Sequence, residues 1–211
     1  LARLITSEKG FIGVNSTSSI LENEKIRMLV ENRAQVAFLK GPEANLAYYG
    51  DPVYWEKAQP IKALFALWPA VYSLIAHSDS GIGRIEDIKG KSIALNSENS
   101  VTGDIFEFLL QFYGINRSNT QIYRIRESIG ISMFMLKEVD CIWYDLGYGE
   151  NYQKSPFFVD SQAENYVMVP VEPDENIREF LKIYPYFYLK NSEKEKGSKQ
   201  MMQLMTPSVA V

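Results

Sequence analysis

Short apolar runs alternate with segments of helical periodicity along most of the sequence, and this alternation constrains the fold more than any other feature. The runs 36–39 and 92–95 are typical of buried strands, and each is followed by a segment whose apolar residues have helical spacing. The second of these helices has Ser100 as N-cap and Gly114 as its stop. Alternating strands and helices predict an α/β fold whose sheets are mixed and mainly parallel.

The same criteria predict the remaining elements. The run 36–39 is closed by Lys40-Gly41-Pro42, whose proline cannot donate a hydrogen bond to a strand ladder. Two further apolar runs, 61–67 and 71–76, are separated by Trp68-Pro69. Residues 201–205 are expected to be extended, and 191–199 to form a charged loop. Further strands are predicted at 121–125, 139–144 and 166–171, and further helices at 20–32, 43–49, 128–137 and 173–184.

Charge and hydropathy exclude two classes of protein. With 22 Lys+Arg against 26 Asp+Glu, the net charge is −4, which is not typical of a nucleic-acid-binding protein. No apolar stretch approaches the roughly 18–20 residues that span a membrane. Because the sequence begins at Leu1, we expect a processed product or a trimmed fragment, and removal of an export signal would leave no trace in it.

Few residues are suited to catalysis or metal binding. The sequence has one cysteine, Cys141, and one histidine, His77. It therefore holds no disulfide pair, no zinc cluster and no multi-histidine site. We interpret Cys141 as a buried thiol and His77 as a structural residue at a strand end. The carboxylates in 140–145 and at Glu127 are interpreted as solvated or helix-capping acids. P-loop, nucleophile-elbow and zincin motifs are absent, and Gly81-Ile82-Gly83 lacks the third glycine of a dinucleotide turn, so we expect no cofactor and no metal.

The loop before the second helix has the character of an anion site. A helix N-terminus presents free backbone N–H groups and the positive end of the helix dipole, and Asn99, Ser100 and Thr102 add a carboxamide and two hydroxyls there. This set suits a carboxylate or a phosphonate. Alternatively, Ser100 only caps its helix. The aromatic residues Trp143 and Tyr144 either line a pocket or pack in the core.

Several motifs resemble one family of proteins. The segment Asp87-Ile88-Lys89-Gly90-Lys91, with the strand and serine-rich turn that follow, resembles the type II periplasmic solute-binding fold. More specifically, the sequence resembles the TAXI family of TRAP-transporter solute-binding proteins. The supporting segments lie at 47–50, 64–76, 99–102, 139–147, 185–186 and 205–211. The sequence departs from the family turn at Asn99 and Val101, where the family has glycines.

The resemblance implies two lobes with a ligand between them. The first lobe would comprise 1–74 and 167–211 and lack the family's N-terminal strand, while the second would comprise 75–166. Two crossing strands, 71–76 and 166–171, would form the hinge. The ligand-binding residues that follow from this arrangement are Ser97, Asn99, Ser100, Val101 and Thr102 in the second lobe and Ser18, Ser19 and Asn23 in the first, with Tyr72 and Gly147 as weaker candidates.

The function implied is capture of a small organic anion, such as glutamate, 2-oxoglutarate or a similar carboxylate, for the membrane subunits of a TRAP transporter. Such a protein is periplasmic, performs no catalysis, and is expected to be a monomer without affinity for nucleic acid. Two alternatives remain open. One is the effector-sensing domain of a transcriptional regulator, and the other is an enzyme on a similar two-lobed fold.

Overall fold

The computed structural model describes residues 22–96, 100–146, 157, 165–191 and 202–211. A 3-10 turn at Ile85–Ile88 precedes the third strand. The helices are α1 Glu22–Val30, α2 Gly41–Tyr49, α3 Val101–Phe112, α4 Glu127–Met135 and α5 Glu175–Ile183. The strands are β1 Phe38–Lys40, β2 Phe65–His77, β3 Ser92–Asn96, β4 Gln121–Ile125, β5 Cys141–Asp145, β6 Tyr166–Val169, β7 Tyr188–Asn191 and β8 Met202–Ala210.

The capping residues explain where the two best-defined helices begin. At the start of α3, the Ser100 hydroxyl accepts a hydrogen bond from the Gly103 amide at 3.4 Å. The Asp174 carboxylate accepts one from the Ile177 amide at 2.9 Å, so α5 begins just after this residue rather than at 173. None of the described helices is long and apolar enough to cross a bilayer.

One sheet contains all the described strands, in the order β1-β8-β2-β5-β3-β4, with β6 also paired to β2 and β7 to β8. The predicted α/β class and mixed sheet are confirmed. The expectation of mainly parallel pairing is wrong, because only β3–β4 and β3–β5 are parallel among the described pairs. Parallel pairing needs a crossover connection, and here helices α3 and α4 supply crossovers only among β3, β4 and β5. The described pairs of β1, β2, β6, β7 and β8 are antiparallel.

Strand β2 differs from its prediction because it passes through Pro69 without a break. The two predicted strands at 61–67 and 71–76 form a single strand of 13 residues. Its pairing with β8 shifts register between Ala66 and Pro69, which is where a residue without an amide hydrogen is tolerated in a ladder. The first half of β2 pairs with β8, and its second half pairs with β5 and β6.

The core is divided between the faces of the sheet. The largest cluster includes Tyr72, Phe106 and Trp143, whose rings pack closely: Phe106 lies 4.8 Å from Tyr72 and 4.3 Å from Trp143 between centroids. It also includes Phe180 and Leu204, so it joins residues from both predicted lobes. A second cluster under α4 is built around Phe134. The division into lobes stays a prediction.

His77 and Cys141 have the structural roles predicted for them. The His77 ring stacks on Phe134 at 4.1 Å, and its Nε2 lies 2.8 Å from the Phe134 carbonyl oxygen. The Cys141 thiol is buried and donates to the Ser92 carbonyl oxygen at 3.6 Å. Burial raises the pKa of this thiol, which keeps it protonated and unreactive.

Candidate functional site

The carboxyl ends of strands from different parts of the chain face each other across the middle of β2. Strands β1 and β2 are both antiparallel to β8, so they run in the same direction, while β5 runs in the opposite direction and ends with Asp145 opposite Tyr72. Lys40 ends β1 and approaches this point from the other side. Ligands of open α/β sheets bind beyond the carboxyl ends of strands, so this is where a site is expected.

An ion pair joins the two facing strand ends. The Lys40 Nζ lies 2.8 Å from Asp145 Oδ2, and their side chains retain 26% and 17% of their exposure. The same ammonium lies 5.3 Å from the centroid of the Tyr72 ring, a cation–π arrangement. Burial opposes the charged form of Lys40, but its neighbours Tyr72, Asp145 and Glu43 outweigh burial and the pKa of Lys40 is raised well above its ordinary value. Lys40 is therefore a fixed cation at neutral pH.

Two buried side chains near this ion pair, Tyr72 and Trp143, can donate hydrogen bonds. The Tyr72 hydroxyl and the Trp143 Nε1 have no hydrogen-bond partner at 3.5 Å or less among the described residues. Both side chains are at least 98% buried. Tyr72 pairs with Asp145 and Leu74 with Trp143, which places Tyr72, Trp143 and Asp145 on one face of the sheet. We call Lys40, Tyr72, Trp143 and Asp145 together the strand-end site.

Further carboxyl groups surround Lys40. Glu43, in the first turn of α2, is buried and contributes to the electrostatic field at Lys40. Glu127, at the start of α4, keeps an exposed surface. Desolvation by the surrounding protein raises the pKa of its carboxyl group, Lys40 opposes this shift, and Asp145 adds to it. The interpretation of Asp145 as a solvated acid is wrong, because Asp145 is largely buried and paired with a lysine that is distant in sequence.

The N-terminus of α3 lies at the same edge of the sheet, since β3, β4 and β5 are mutually parallel. There the Ser100 hydroxyl caps the helix and lies 3.1 Å from the Thr102 hydroxyl. Thr102 and the Val101 side chain are buried, and Ser100 is partly buried. The capping role considered for Ser100 is thus present, and it leaves the hydroxyl able to donate elsewhere.

Arg124 forms ion pairs with two acidic residues of α3. Its side chain is only 5% exposed and pairs with Asp104 at 2.6 Å and with Glu107 at 3.0 Å. It also donates to the Ser100 carbonyl oxygen at 3.4 Å. The Tyr54 hydroxyl, from the segment after α2, donates to Asp104 as well. Helix α3 is therefore tied by polar contacts to both β4 and the segment that follows α2.

The predicted site residues fall into two groups. Ser18, Ser19, Ser97, Asn99 and Gly147 lie outside the described residues. Ser100, Val101 and Thr102 lie together at α3, and Tyr72 lies in the strand-end site. Asn23 is on α1, where its Oδ1 is buried without a partner in the described part of the chain. Sequence reasoning missed Lys40 and Asp145 as site residues, although each is the last residue of a strand, and that position was the available signal.

The side chains on this edge are suited to binding. They offer a cation, carboxylates, hydroxyls and an indole N–H, which recognise charged and polar groups of a small molecule. Within the described ranges, no cluster of three or more His, Cys, Asp or Glu residues could hold a metal ion.

Comparison with known proteins agrees with this architecture. A model of the NMT1-like family matches residues 1–200. The periplasmic aliphatic sulphonate binding protein SsuA from Escherichia coli aligns with 97% of this chain and 55% of its own, with 8% identity and a TM-score of 0.55. Holo ArgBP from T. maritima aligns with 97% of this chain and 69% of its own, with 12% identity and a TM-score of 0.51.

A third similar structure belongs to a regulator. A mutant of the regulatory domain of HypT from Salmonella typhimurium aligns with 100% of this chain and 81% of its own, with 12% identity and a TM-score of 0.54. At these identities the similarity shows the fold, which is that of periplasmic-binding-protein-like structures. The chain spans about half the length of the sulfonate-binding proteins that it matches.

Proposed function

This chain belongs to the NMT1-like family, and on that premise we propose that it is a solute-binding protein that captures a small organic anion and delivers it to a TRAP transporter. The anion is glutamate, 2-oxoglutarate or a similar carboxylate. We assign no covalent chemistry to the protein. The ligand would lie where the carboxyl ends of β1 and β5 face each other across β2.

The strand-end site carries this proposal. It combines a cation, Lys40, with two buried donors, the Tyr72 hydroxyl and the Trp143 Nε1, that have no partner among the described residues. Buried polar groups are normally hydrogen-bonded, because an unpaired one costs about 1–3 kcal/mol. A carboxylate presents two acceptor oxygens and would satisfy such donors. A bound solute therefore explains an arrangement that packing alone leaves incomplete.

The N-terminus of α3 is proposed as the second part of the binding site. A carboxylate at a helix N-terminus gains only about 0.3–2 kcal/mol from the dipole. Affinity must therefore come from converging hydrogen bonds and from closure of two lobes, which we propose at 1–74 with 167–211 and at 75–166. Ser97, Asn99, Ser100, Thr102 and the Val101 amide would contact the ligand from the second lobe. Ser18, Ser19 and Asn23 would contact it from the first, with Tyr72 and Gly147 beside them.

The choice of transporter and compartment rests on the sequence resemblance to the TAXI family. The similarity to SsuA, which is described as periplasmic, supports a periplasmic location. We propose that the protein acts as a monomer, and that membrane TRAP subunits are its partners.

Titration of the purified chain with organic acids tests the proposal. A panel of dicarboxylates and acidic amino acids at millimolar concentration should raise the unfolding temperature, because ligand at about 100 times its Kd stabilises by about 2.7 kcal/mol. Calorimetry should then give the affinity for each compound that stabilises. The proposal fails if no member of the panel binds.

A matched pair of variants tests the part played by α3. Ser100→Asp keeps a side chain that caps the helix but adds a negative charge at its N-terminus, so an anionic ligand should bind at least tenfold more weakly. Ser118→Asp adds the same charge in the exposed turn beyond the other end of α3 and should leave the affinity unchanged. Equal affinities for the two variants would exclude the α3 N-terminus from the site.

A second candidate function is the effector domain of a regulator. The alignment covers 81% of the HypT regulatory domain but only 55% of SsuA. The larger covered share favours the regulator as an alternative. The codons upstream of Leu1 distinguish the two. An export signal supports the transport protein, whereas a helix-turn-helix segment supports the regulator.

A further inference from the structure

Helix α3 is tied to the proposed first lobe at both of its ends. In its first turn, Asp104 accepts a hydrogen bond from the Tyr54 hydroxyl, which belongs to the segment after α2. At its C-terminus, the Tyr113 hydroxyl lies 3.0 and 3.1 Å from the two carboxylate oxygens of Asp174, the N-cap of α5. Tyr54 and Asp174 lie in the proposed first lobe, whereas Asp104 and Tyr113 lie in the second. Both hydrogen bonds therefore cross the boundary between the proposed lobes.

Between these ends, the apolar side chains of α3 pack against both proposed lobes. The centroid of the Phe106 ring lies 4.3 Å from that of Trp143 in the second lobe and 6.2 Å from that of Phe187 in the first. The Phe112 ring lies 6.3 Å from the Phe180 ring on α5, which also belongs to the first lobe. One apolar cluster thus contains residues of both lobes.

Separation of the lobes would have to remove α3 from one of them. Phe106 and Phe180 are each at most 1% exposed, so this movement would transfer large apolar side chains to water. It would also break the two tyrosine–aspartate hydrogen bonds, and hydrogen bonds to carboxylates are stronger than those between neutral groups. The joined arrangement is therefore favoured without any contribution from a solute.

We propose that α3 holds the two lobes in one closed arrangement before a solute binds, so that the solute enters a preformed site instead of inducing closure. This inference rests on the lobe division of the proposed function. The strand-end site remains partly open to solvent in this arrangement, because the Lys40 and Asp145 side chains retain 26% and 17% of their exposure. A preformed site binds more tightly than one that must be ordered by its ligand.

The distance between two spin labels, measured by pulsed electron paramagnetic resonance on the full chain, tests the proposal. Tyr49→Cys in the first lobe and Ser118→Cys in the second supply exposed labelling positions, while the native Cys141 is buried. Without solute, we expect one population whose mean agrees with the separation of these residues in the structure. Addition of millimolar 2-oxoglutarate or L-glutamate should shift the mean by less than about 2 Å.

A combined variant tests whether α3 is responsible. Tyr54→Phe, Tyr113→Phe and Phe112→Ala together remove both hydrogen bonds and one ring contact across the boundary, so a population with longer distances should appear. Tyr123→Phe is the control, because it removes a hydroxyl that contacts Gln121 within the second lobe, and it should leave the distribution unchanged.

Two results would overturn the proposal in the wild-type sequence: a longer population in the absence of solute, or a mean that shortens by more than about 2 Å when a solute binds. A combined variant with the wild-type distribution would overturn the role of α3. If no organic acid binds, the proposed function fails, and the distances measured without solute still decide this inference. They also decide it if the combined variant does not fold.

Discussion

An aspartate lies at each end of strand β5, and the two carboxylates make different contacts. Asp140, just before the strand, accepts hydrogen bonds from the Ser92 amide at 2.8 Å and the Ser92 hydroxyl at 2.7 Å, and its own amide donates to that hydroxyl at 2.9 Å. Asp145, the last residue of the strand, pairs with the flexible side chain of Lys40 from a distant part of the chain. The first contact is with the adjacent strand β3, whereas the second connects strands that do not pair with each other.

The difference separates a carboxylate with a structural role from one that lies in the proposed binding site. At Asp140, a single neighbouring residue satisfies the carboxylate through a fixed backbone group and a short side chain. At Asp145, one partner is the long side chain of Lys40, and the Tyr72 hydroxyl and the Trp143 Nε1 belong to residues on the same face of the sheet. We propose that the amino end of the parallel strands maintains the fold and that the carboxyl end contributes to the solute site.

The largest effect on stability is expected for Asp140→Ala. This change removes two hydrogen bonds to a charged acceptor and leaves the Ser92 amide and hydroxyl without it, which should cost about 2–4 kcal/mol. Chemical denaturation measures this loss. Any solute that binds the wild-type chain should bind the folded variant with unchanged affinity. A weakened affinity would show that the two ends of β5 are not separate in function.

A smaller loss of stability and a larger loss of binding are expected for Lys40→Met. Methionine keeps the apolar stem, but Asp145 loses its cation in a partly exposed position, so the free energy of unfolding should fall by about 1–2 kcal/mol. Calorimetry should show at least a tenfold loss of affinity for the ligand carboxylate. A variant that binds normally would contradict the assignment of Lys40 to the site.

Glu107→Gln tests the charge network of α3 through its pH dependence. Hydrogen bonding to Arg117 lowers the pKa of Glu107, burial opposes this, and Arg124 lowers it further. The pKa of Glu107 in the folded chain lies below its unfolded value of about 4.3. The ionised carboxylate therefore contributes its full stabilisation above about pH 4.3, and this stabilisation is lost as the pH falls through the folded pKa. The variant should be about 1 kcal/mol less stable at pH 7 and equal to the wild type in strong acid. Chemical denaturation of both chains at pH 7, 4 and 3 measures the difference in their free energies of unfolding. A difference that stays the same at all three pH values would contradict the prediction.

The smallest effect is expected for Asp79→Asn. The side chains of Lys137 and Asp79 are 60% and 68% exposed, and solvent screening leaves such an exposed ion pair with little net effect on stability. Urea denaturation should give a midpoint close to that of the wild-type chain. A loss as large as that of Lys40→Met would remove the distinction drawn between exposed and buried pairs.

Local signals predicted most of the helices and the parallel strands. Strand β4 has the predicted bounds, and α3 begins at the predicted cap, because Ser100 and the apolar spacing after it act within one turn of the chain. The merging of two predicted strands into β2 could not be derived, since the register shift that accommodates Pro69 depends on pairing with the remote strand β8.

The strand-end site could be predicted only in part. Tyr72 follows from the family resemblance, but the pairing of Lys40 with Asp145 joins residues more than a hundred positions apart. Apart from its position at the end of a strand, neither residue has a local pattern that distinguishes it from a solvated surface charge. Their proximity is a product of the sheet order, which strand periodicity does not determine.

Strand β8 lies between β1 and β2, although both precede it by most of the length of the chain. During translation it is the last of the described strands to leave the ribosome, and until then β1 lacks the only sheet partner that the described residues give it. Until β8 is made, the nascent chain therefore carries strand edges without their final partners, and pairing across such a sequence distance is expected to slow folding.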